Sequence, residues 1–213
     1  MFIQYRAATT VSQVIVKKKK KMPPERQADK RMRLLDAALE LFETRGYDGV
    51  AVPEIAARAG VATGTVYLYF ADKAALVNAL YRHWKAQYNG VVLAPVPPGL
   101  VARDAFTTYW QRMALFARTY PRATRFMDLH NHGSYLDAES IALGRVYREA
   151  AERFIGDARA AGAIRDIDSI LIVALMWGAA TGLAKFAAQG VVNFDLDAAV
   201  EMEEALWRAI AND

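Results

Sequence analysis

The stretch from Ala62 to Lys73 reads ATGTVYLYFADK, and its residue types suit hydrogen bonding rather than bond-making. Val66 and Phe70 stand four apart, so on a helix they stack on one face and can be buried together. Thr63, Gly64 and Thr65 then fall in the first turn, with Tyr67, Tyr69 and Lys73 around and beyond it. A threonine hydroxyl can bond a base edge, and its methyl can meet a thymine methyl. Gly64 has no side chain to hold another backbone away. Tyrosine hydroxyls and a lysine ammonium suit phosphate oxygens, which fix a protein on a duplex without reading its sequence. The pattern predicts an element that reads double-stranded DNA. An ordinary helical hairpin is the alternative, and it gives the two tyrosines and the lysine no packing role.

Such a reader has to be held by other elements. Upstream, Leu34, Leu35, Ala38, Leu41 and Phe42 recur at helical spacing over about residues 30–45, and Gly46 supplies a stop. A short helix from Val52 to Ala59 carries Ile55 and Ala56 inward. Ala59-Gly60-Val61 makes the turn, with glycine where a positive φ is tolerated. The reading helix is expected over Ala62–Phe70, the second helix of a helix-turn-helix. Asp72 suits the cap of a longer helix running through Leu76, Leu80, Trp84, Tyr88 and Val91. After the break at Pro95–Gly99 come five further helical stretches, about 100–119, 121–130, 138–161, 167–189 and 196–211. Pro121 fits a first turn, Asp137 and Asp195 fit caps, and Gly162 and Gly190 fit stops. The reading is an all-α protein of about nine helices without a repeat of fixed period. It divides into a basic extension at 1–29, a three-helix DNA-binding domain at 30–75, and a larger helical ligand-binding and dimerisation domain at 76–213.

The stretch Glu54–Leu76, EIAARAGVATGTVYLYFADKAAL, resembles the signature of TetR-family transcriptional regulators. In that family a glycine-valine turn precedes a G-T-(aliphatic)-Y-x-Y-F helix, with a lysine three residues later. The matching positions are Gly60, Val61, Gly64, Thr65, Val66, Tyr67, Tyr69, Phe70 and Lys73, and Ala37, Leu41, Phe42, Gly46 and Tyr47 fit the preceding helix. The resemblance covers about residues 30–80; beyond it, only the number, order and length of helices agree. It implies a cytoplasmic homodimer with two reading helices in successive major grooves, about 34–36 Å apart, on a near-palindromic operator. It also implies a repressor that releases DNA when a small molecule enters the C-terminal half and moves the helix beginning at Lys73. There are departures. Ala51 stands where relatives carry Ser or Thr, so one capping bond (about 1 kcal/mol) is missing although Glu54 remains. Pro53 occupies a position often basic, and Ala62 replaces a frequent serine, which leaves more of the polar role to Thr63.

Charge adds little to the DNA argument. The chain has 27 basic and 23 acidic residues, but Arg6 and Lys17 to Lys21 sit in the first 21 residues. Without those six, 21 basic residues face 23 acidic ones. The extension is either a solvated tail or a basic arm that follows the DNA backbone. With no cysteine, thiolate metal sites and disulfides are excluded. The longest uncharged run, Ser169 to Ala184, falls short of the roughly 20 residues of a membrane span and is read as an interface helix.

The C-terminal half offers two less specific patterns. Trp110, Met113, Phe126, Met127, Tyr147 and Trp177, with His130 and Thr181, are candidates for a mainly apolar pocket; each would also serve as bundle core. Such a lining suits a hydrophobic or aromatic ligand. Leu171, Leu175, Gly178, Gly182 and Phe186, with Val200 and Trp207, form stripes that fit either a four-helix dimer interface or burial within the chain. His130 and His132 are two apart, which points them in different directions on a helix, so no metal or other cofactor is expected. No nucleophile–base pair or phosphate loop supports an enzyme. A helical adaptor would share the apolar stripes but has no use for the Tyr67–Lys73 array.

Overall fold

The computed structural model describes residues 24–130 and 133–212. The basic run at 1–21 and His132 lie outside the described residues. The described residues form nine helices: α1 (Pro24–Arg45), α2 (Val52–Arg58), α3 (Thr63–Val66), α4 (Lys73–Val92), α5 (Ala102–Thr119), α6 (Pro121–His130), α7 (Ala138–Ala160), α8 (Ser169–Ala188) and α9 (Leu196–Ile210). No strand occurs among them; the one extended pairing is an isolated antiparallel bridge between Ile164 and Ala211.

Several helix limits have a visible cause. The carboxylates of Asp72, Asp137 and Asp195 accept the N–H of Ala75, Ser140 and Ala198 at 2.7, 2.8 and 3.0 Å, closing the starts of α4, α7 and α9. Two limits differ from the sequence expectation. Helix α1 begins at Pro24, not near Lys30, so residues 24–29 are helical rather than part of the extension; proline suits a first turn because its missing N–H is not needed there. Helix α3 is a single turn. Leu68 and Tyr69 donate to the carbonyls of Thr65 and Val66, at 3.2 and 2.9 Å, so the chain tightens to three-residue spacing before Phe70.

Helices α1–α3 close over a core of Leu34, Leu35, Ala38, Phe42, Ile55, Ala56, Val66 and Phe70, onto which α4 lays Leu76 and Leu80. Burying each large side chain contributes roughly 1.5–3 kcal/mol. Further along α4 the buried line runs Val77, Tyr81, Lys85, Tyr88, Val92. Trp84 and Val91, expected on that line, are half-buried and exposed respectively. The stripe is displaced because α7 and α8 close over this flank: Tyr88 packs edge-on against Tyr147 and Trp177, at 5.4 and 5.5 Å between ring centroids.

Helix α6 lies between the two halves. Its Arg122 and Arg125 reach the buried carboxylate of Glu43 on α1, with nitrogen–oxygen separations of 3.3 and 2.9 Å. On its other side Asp128 accepts from the indole of Trp177 on α8 at 2.7 Å. Helices α5 and α9 are tied by the Trp110 indole, donating to Ala199 O at 2.7 Å, and by buried Glu203, which accepts from Arg103 and Thr107 at 2.6 Å each. Helix α8 is strongly apolar along its length, yet most of it is not buried within the chain. Counting only to Lys185 puts it below spanning length; the full helix is long and apolar enough by length and composition.

Candidate functional site

The turn between α2 and α3 is set by Gly60, whose φ of +67° is a conformation that side chains resist. Val61 N–H then bonds Ala56 O at 3.0 Å, and Thr65 N–H bonds Ala62 O at 2.8 Å to start α3. Before α2, the Glu54 carboxylate accepts Ala51 N–H at 3.2 Å. The reciprocal bond cannot form because alanine has no side-chain oxygen, the loss read from the sequence. Glu54 also pairs with Arg45; that bond first, and the Ala51 N–H second, hold its carboxyl below the usual range.

With Val66 and Phe70 buried, most other side chains of α3 and of the turn after it stand more open. Thr63 and Thr65 are half-exposed, and a Cβ built on Gly64 would meet nothing within 4 Å. Tyr67 is 53% exposed and Leu68 79%. Leu68 was missing from the sequence expectation, although its place two residues from both Val66 and Phe70 puts it off their face.

Two predicted phosphate contacts are corrected. Among the described residues the Tyr69 hydroxyl is enclosed and without a hydrogen-bond partner, and its ring lies 6.4 Å from that of Phe70 between centroids. Lys73 is committed inward. Its ammonium donates to Tyr47 O at 2.9 Å and Val50 O at 3.1 Å and lies 4.1 Å from the Tyr47 ring centroid. It fastens the start of α4 to the loop between α1 and α2. Tyr47 in turn stacks on Tyr135 at 4.1 Å, and the Tyr135 hydroxyl meets His130. Of the cations on α1 and α2, Arg58 pairs with Glu40 at 2.6 Å and Arg45 with Glu54.

The residues expected to line one pocket are divided. Met113 and Tyr147 face a small internal cavity of about 20 Å³, together with Leu93, Tyr109, Phe154 and Met176. A surface groove of about 810 Å³ adjoins it, sharing Leu93, Tyr109, Ala150 and Phe154 and opening beside the loop 96–101. Trp177 stands one ring away, against Tyr88. The others lie elsewhere. Trp110 is turned towards α9 by its bond to Ala199. Phe126 and Met127 are wholly buried in the core, and His130 lies edge-on to Phe42 with its ring nitrogens directed to Tyr135 and the Phe42 carbonyl. Burial lowers the His130 pKa, partly offset by that carbonyl. Thr181 lines a separate groove on the outer side of α6 and α8.

The sequence reading missed Lys85. It is 4% exposed, makes no ion pair or hydrogen bond among the described residues, and has its ammonium 5.1, 5.3 and 6.0 Å from the ring centroids of Trp177, Tyr88 and Tyr147. Burial alone brings its pKa down to about 8. A lysine inside the 77-81-85-88-92 spacing was the available signal.

On the outer face of α8, Leu171, Leu175, Gly178 and Phe186 are exposed and Gly182 is half-exposed, continuing onto Leu196 and Val200 of α9. Trp207 does not extend this stripe: it turns inward against Phe106, at 5.2 Å, under the Arg103 guanidinium. Leu206 and Ile210, on the same helix, are buried.

Comparison with known proteins places both halves. Residues 34–80 match the family model for bacterial regulatory proteins of the tetR family, and residues 85–212 match the tetracyclin repressor-like C-terminal domain. The chain is 38% identical over 64 residues to the fatty acid metabolism regulator protein of Bacillus subtilis (strain 168), covering 30% of this chain and 33% of that protein. It is 38% identical over 76 residues to the transcriptional repressor KstR of Mycolicibacterium smegmatis, covering 35% and 37%. These matches span about a third of each relative. A crystal structure of a TetR family transcription regulator from Marinobacter aquaeolei VT8 is similar with a TM-score of 0.78, over 90% of this chain and all of that one, at 20% identity, a likeness of fold. The chain belongs to the tetR family of bacterial regulatory proteins.

Proposed function

We propose that this protein is a dimeric transcriptional repressor that holds a near-palindromic DNA operator and releases it when a small, largely apolar molecule occupies the C-terminal half. The exposure pattern of α3 carries the reading: Tyr67 and Leu68 stand outside a turn whose Val66 and Phe70 are anchored in the core. A short helix on a rigid base, with an open Gly64, fits the major groove. Thr63 and Thr65 are assigned to base edges and Tyr67 to a phosphate, with Leu68 against a thymine methyl or sugar. The exposed face of α8, with Leu196 and Val200, is assigned to the partner copy, which would bring two reading turns to one side. Cavity and groove between α5 and α7 are assigned to the ligand.

A mobility-shift assay with DNA from upstream of the protein's own gene tests this. Specific binding is expected. Tyr67→Phe should weaken it by a few-fold on every sequence, whereas Thr65→Ala should cost about 1–3 kcal/mol of discrimination at particular base pairs. Full affinity in both variants would remove α3 from the contact.

A further inference from the structure

We propose that the molecule sensed by the C-terminal half is an organic acid, its carboxylate held by Lys85 and its apolar body lying in the cavity beside Met113 and Tyr147. This rests on the reading of that half as a ligand-sensing domain and names the chemistry of its ligand.

The argument starts from an imbalance. An ammonium group taken out of water is costly unless a counter-charge or acceptors replace the lost hydration. Lys85 has neither among the described residues; three aromatic faces surround it instead. Aromatic faces attract a cation but offer no lone pair in its donor directions. Among the described residues two polar atoms on the same part of α4 are buried without a partner in hydrogen-bond geometry, Asn89 Oδ1 and the Tyr88 hydroxyl, the latter interacting with Tyr147. The unfilled donor is therefore the ammonium, which is suited to a carboxylate oxygen.

The surroundings suit the remainder of such a molecule. Tyr147 both faces Lys85 and lines the internal cavity, and its hydroxyl bonds Met113 Sδ at 3.4 Å. The cavity has little room as it stands, but Met113 and Met176 are unbranched side chains that repack at low cost. Its outer wall of Leu93, Tyr109 and Phe154 is shared with the larger groove, which gives an acid a route from the surface. A neutral apolar ligand would leave the ammonium unsatisfied, and a cationic one would be repelled by it.

Matched pairs of probes test the assignment by tryptophan fluorescence and calorimetry: decanoate against 1-decanol, and 4-phenylbutyrate against 4-phenylbutanol. At least one acid should bind saturably and roughly 30-fold or more tightly than its alcohol. In Lys85→Met that preference should vanish while the alcohol binds as before, and Lys85→Arg should restore part of it. Thermal unfolding with and without decanoate checks that the variants are folded. Equal binding of acid and alcohol, a preference that survives in Lys85→Met, or no saturable binding of either acid would overturn the proposal. The same probes added to the protein–DNA complex separate the two readings. An acid that binds through Lys85 without releasing DNA strikes the operator-release reading alone. Release by the alcohols alone strikes the Lys85 assignment alone.

Discussion

Replacing Lys85 by methionine should stabilise the protein at neutral pH by an amount that fades as the solution becomes alkaline. Burial holds the ammonium pKa at about 8, against 10.5 for a free lysine, and the group is too enclosed for solvent to screen. Between those values the unfolded chain binds more protons than the folded one, so stability rises with pH across that window. Below pH 8 both states carry the charge and the folded protein bears the whole penalty; above 10.5 neither does. At about 1.4 kcal/mol per pH unit, the penalty is about 3 kcal/mol at pH 7, about 2 at pH 9 and about 1 at pH 10. Methionine has similar length and no charge, and its packing contribution does not vary with pH. The groups facing Lys85 are Tyr88 on its own helix, Tyr147 on α7 and Trp177 on α8. Burial pushes Tyr147 up to about 12 and Tyr88 well above its ordinary value, so neither titrates in the window. Urea unfolding of both proteins at pH 7, 9 and 10, at one protein concentration, should show the variant's advantage shrinking by about 2 kcal/mol from pH 7 to pH 10. A pH-independent difference, or a variant less stable than the parent at pH 7, would refute the claim that this ammonium is buried without a counter-charge.

Three other substitutions test separate parts of the molecule. Lys73→Ala should lower stability by about 1.5–3 kcal/mol, through loss of the bonds to Tyr47 O and Val50 O. An unchanged melting temperature with a salt slope of DNA binding reduced by about one would instead make Lys73 a phosphate contact. Glu43→Gln leaves Arg122 and Arg125 facing a neutral amide between α1 and α6. Both arginines keep some solvent, so the expected cost in thermal or urea unfolding is about 1–3 kcal/mol rather than that of a fully buried pair. Leu175→Lys places a charge in the exposed face of α8 and should give monomers by light scattering with the fold intact by circular dichroism. A dimer in that variant would exclude this face as the interface.

Local rules made most of the fold legible, and they failed where tertiary neighbours decided. Asp72, Asp137 and Asp195 act on their own helix starts, so the sequence alone located them. The register of α4 was harder. A stripe through Trp84 and Val91 is as regular as one through Lys85 and Val92, and choosing between them requires knowing which flank α7 and α8 cover. An apolar-only search for a core could not select Lys85. Tyr69 and Lys73 were misread for a related reason: motif position shows that a polar group is present but not whether a neighbouring carbonyl takes it first. The pocket residues were scattered because bundle core and ligand cavity share a composition. Trp110 and Trp177 are directed by whether the indole meets Ala199 or Asp128, a choice made by segments far away in the chain.

A ligand in the C-terminal half can move the reading turn only if it favours one arrangement of the two halves over another. Helix α4 supplies a direct connection, since Lys73 grips the DNA-binding half and Lys85 lies twelve residues further along the same helix, about 18 Å at 1.5 Å per residue. Helix α6 supplies a second, from Trp177 through Asp128 to the arginines that hold Glu43. Both end on hydrogen bonds or ion pairs worth about 1–3 kcal/mol each, the same size as a typical coupling energy between two sites. On the proposed reading, exchanging one such bond for a carboxylate on Lys85 would be enough to shift the balance. On that same reading, because Lys73 and Lys85 share one rod, a displacement that drew Lys85 towards an anion would also pull on the clasp at Tyr47 and Val50, and through it on the reading turn.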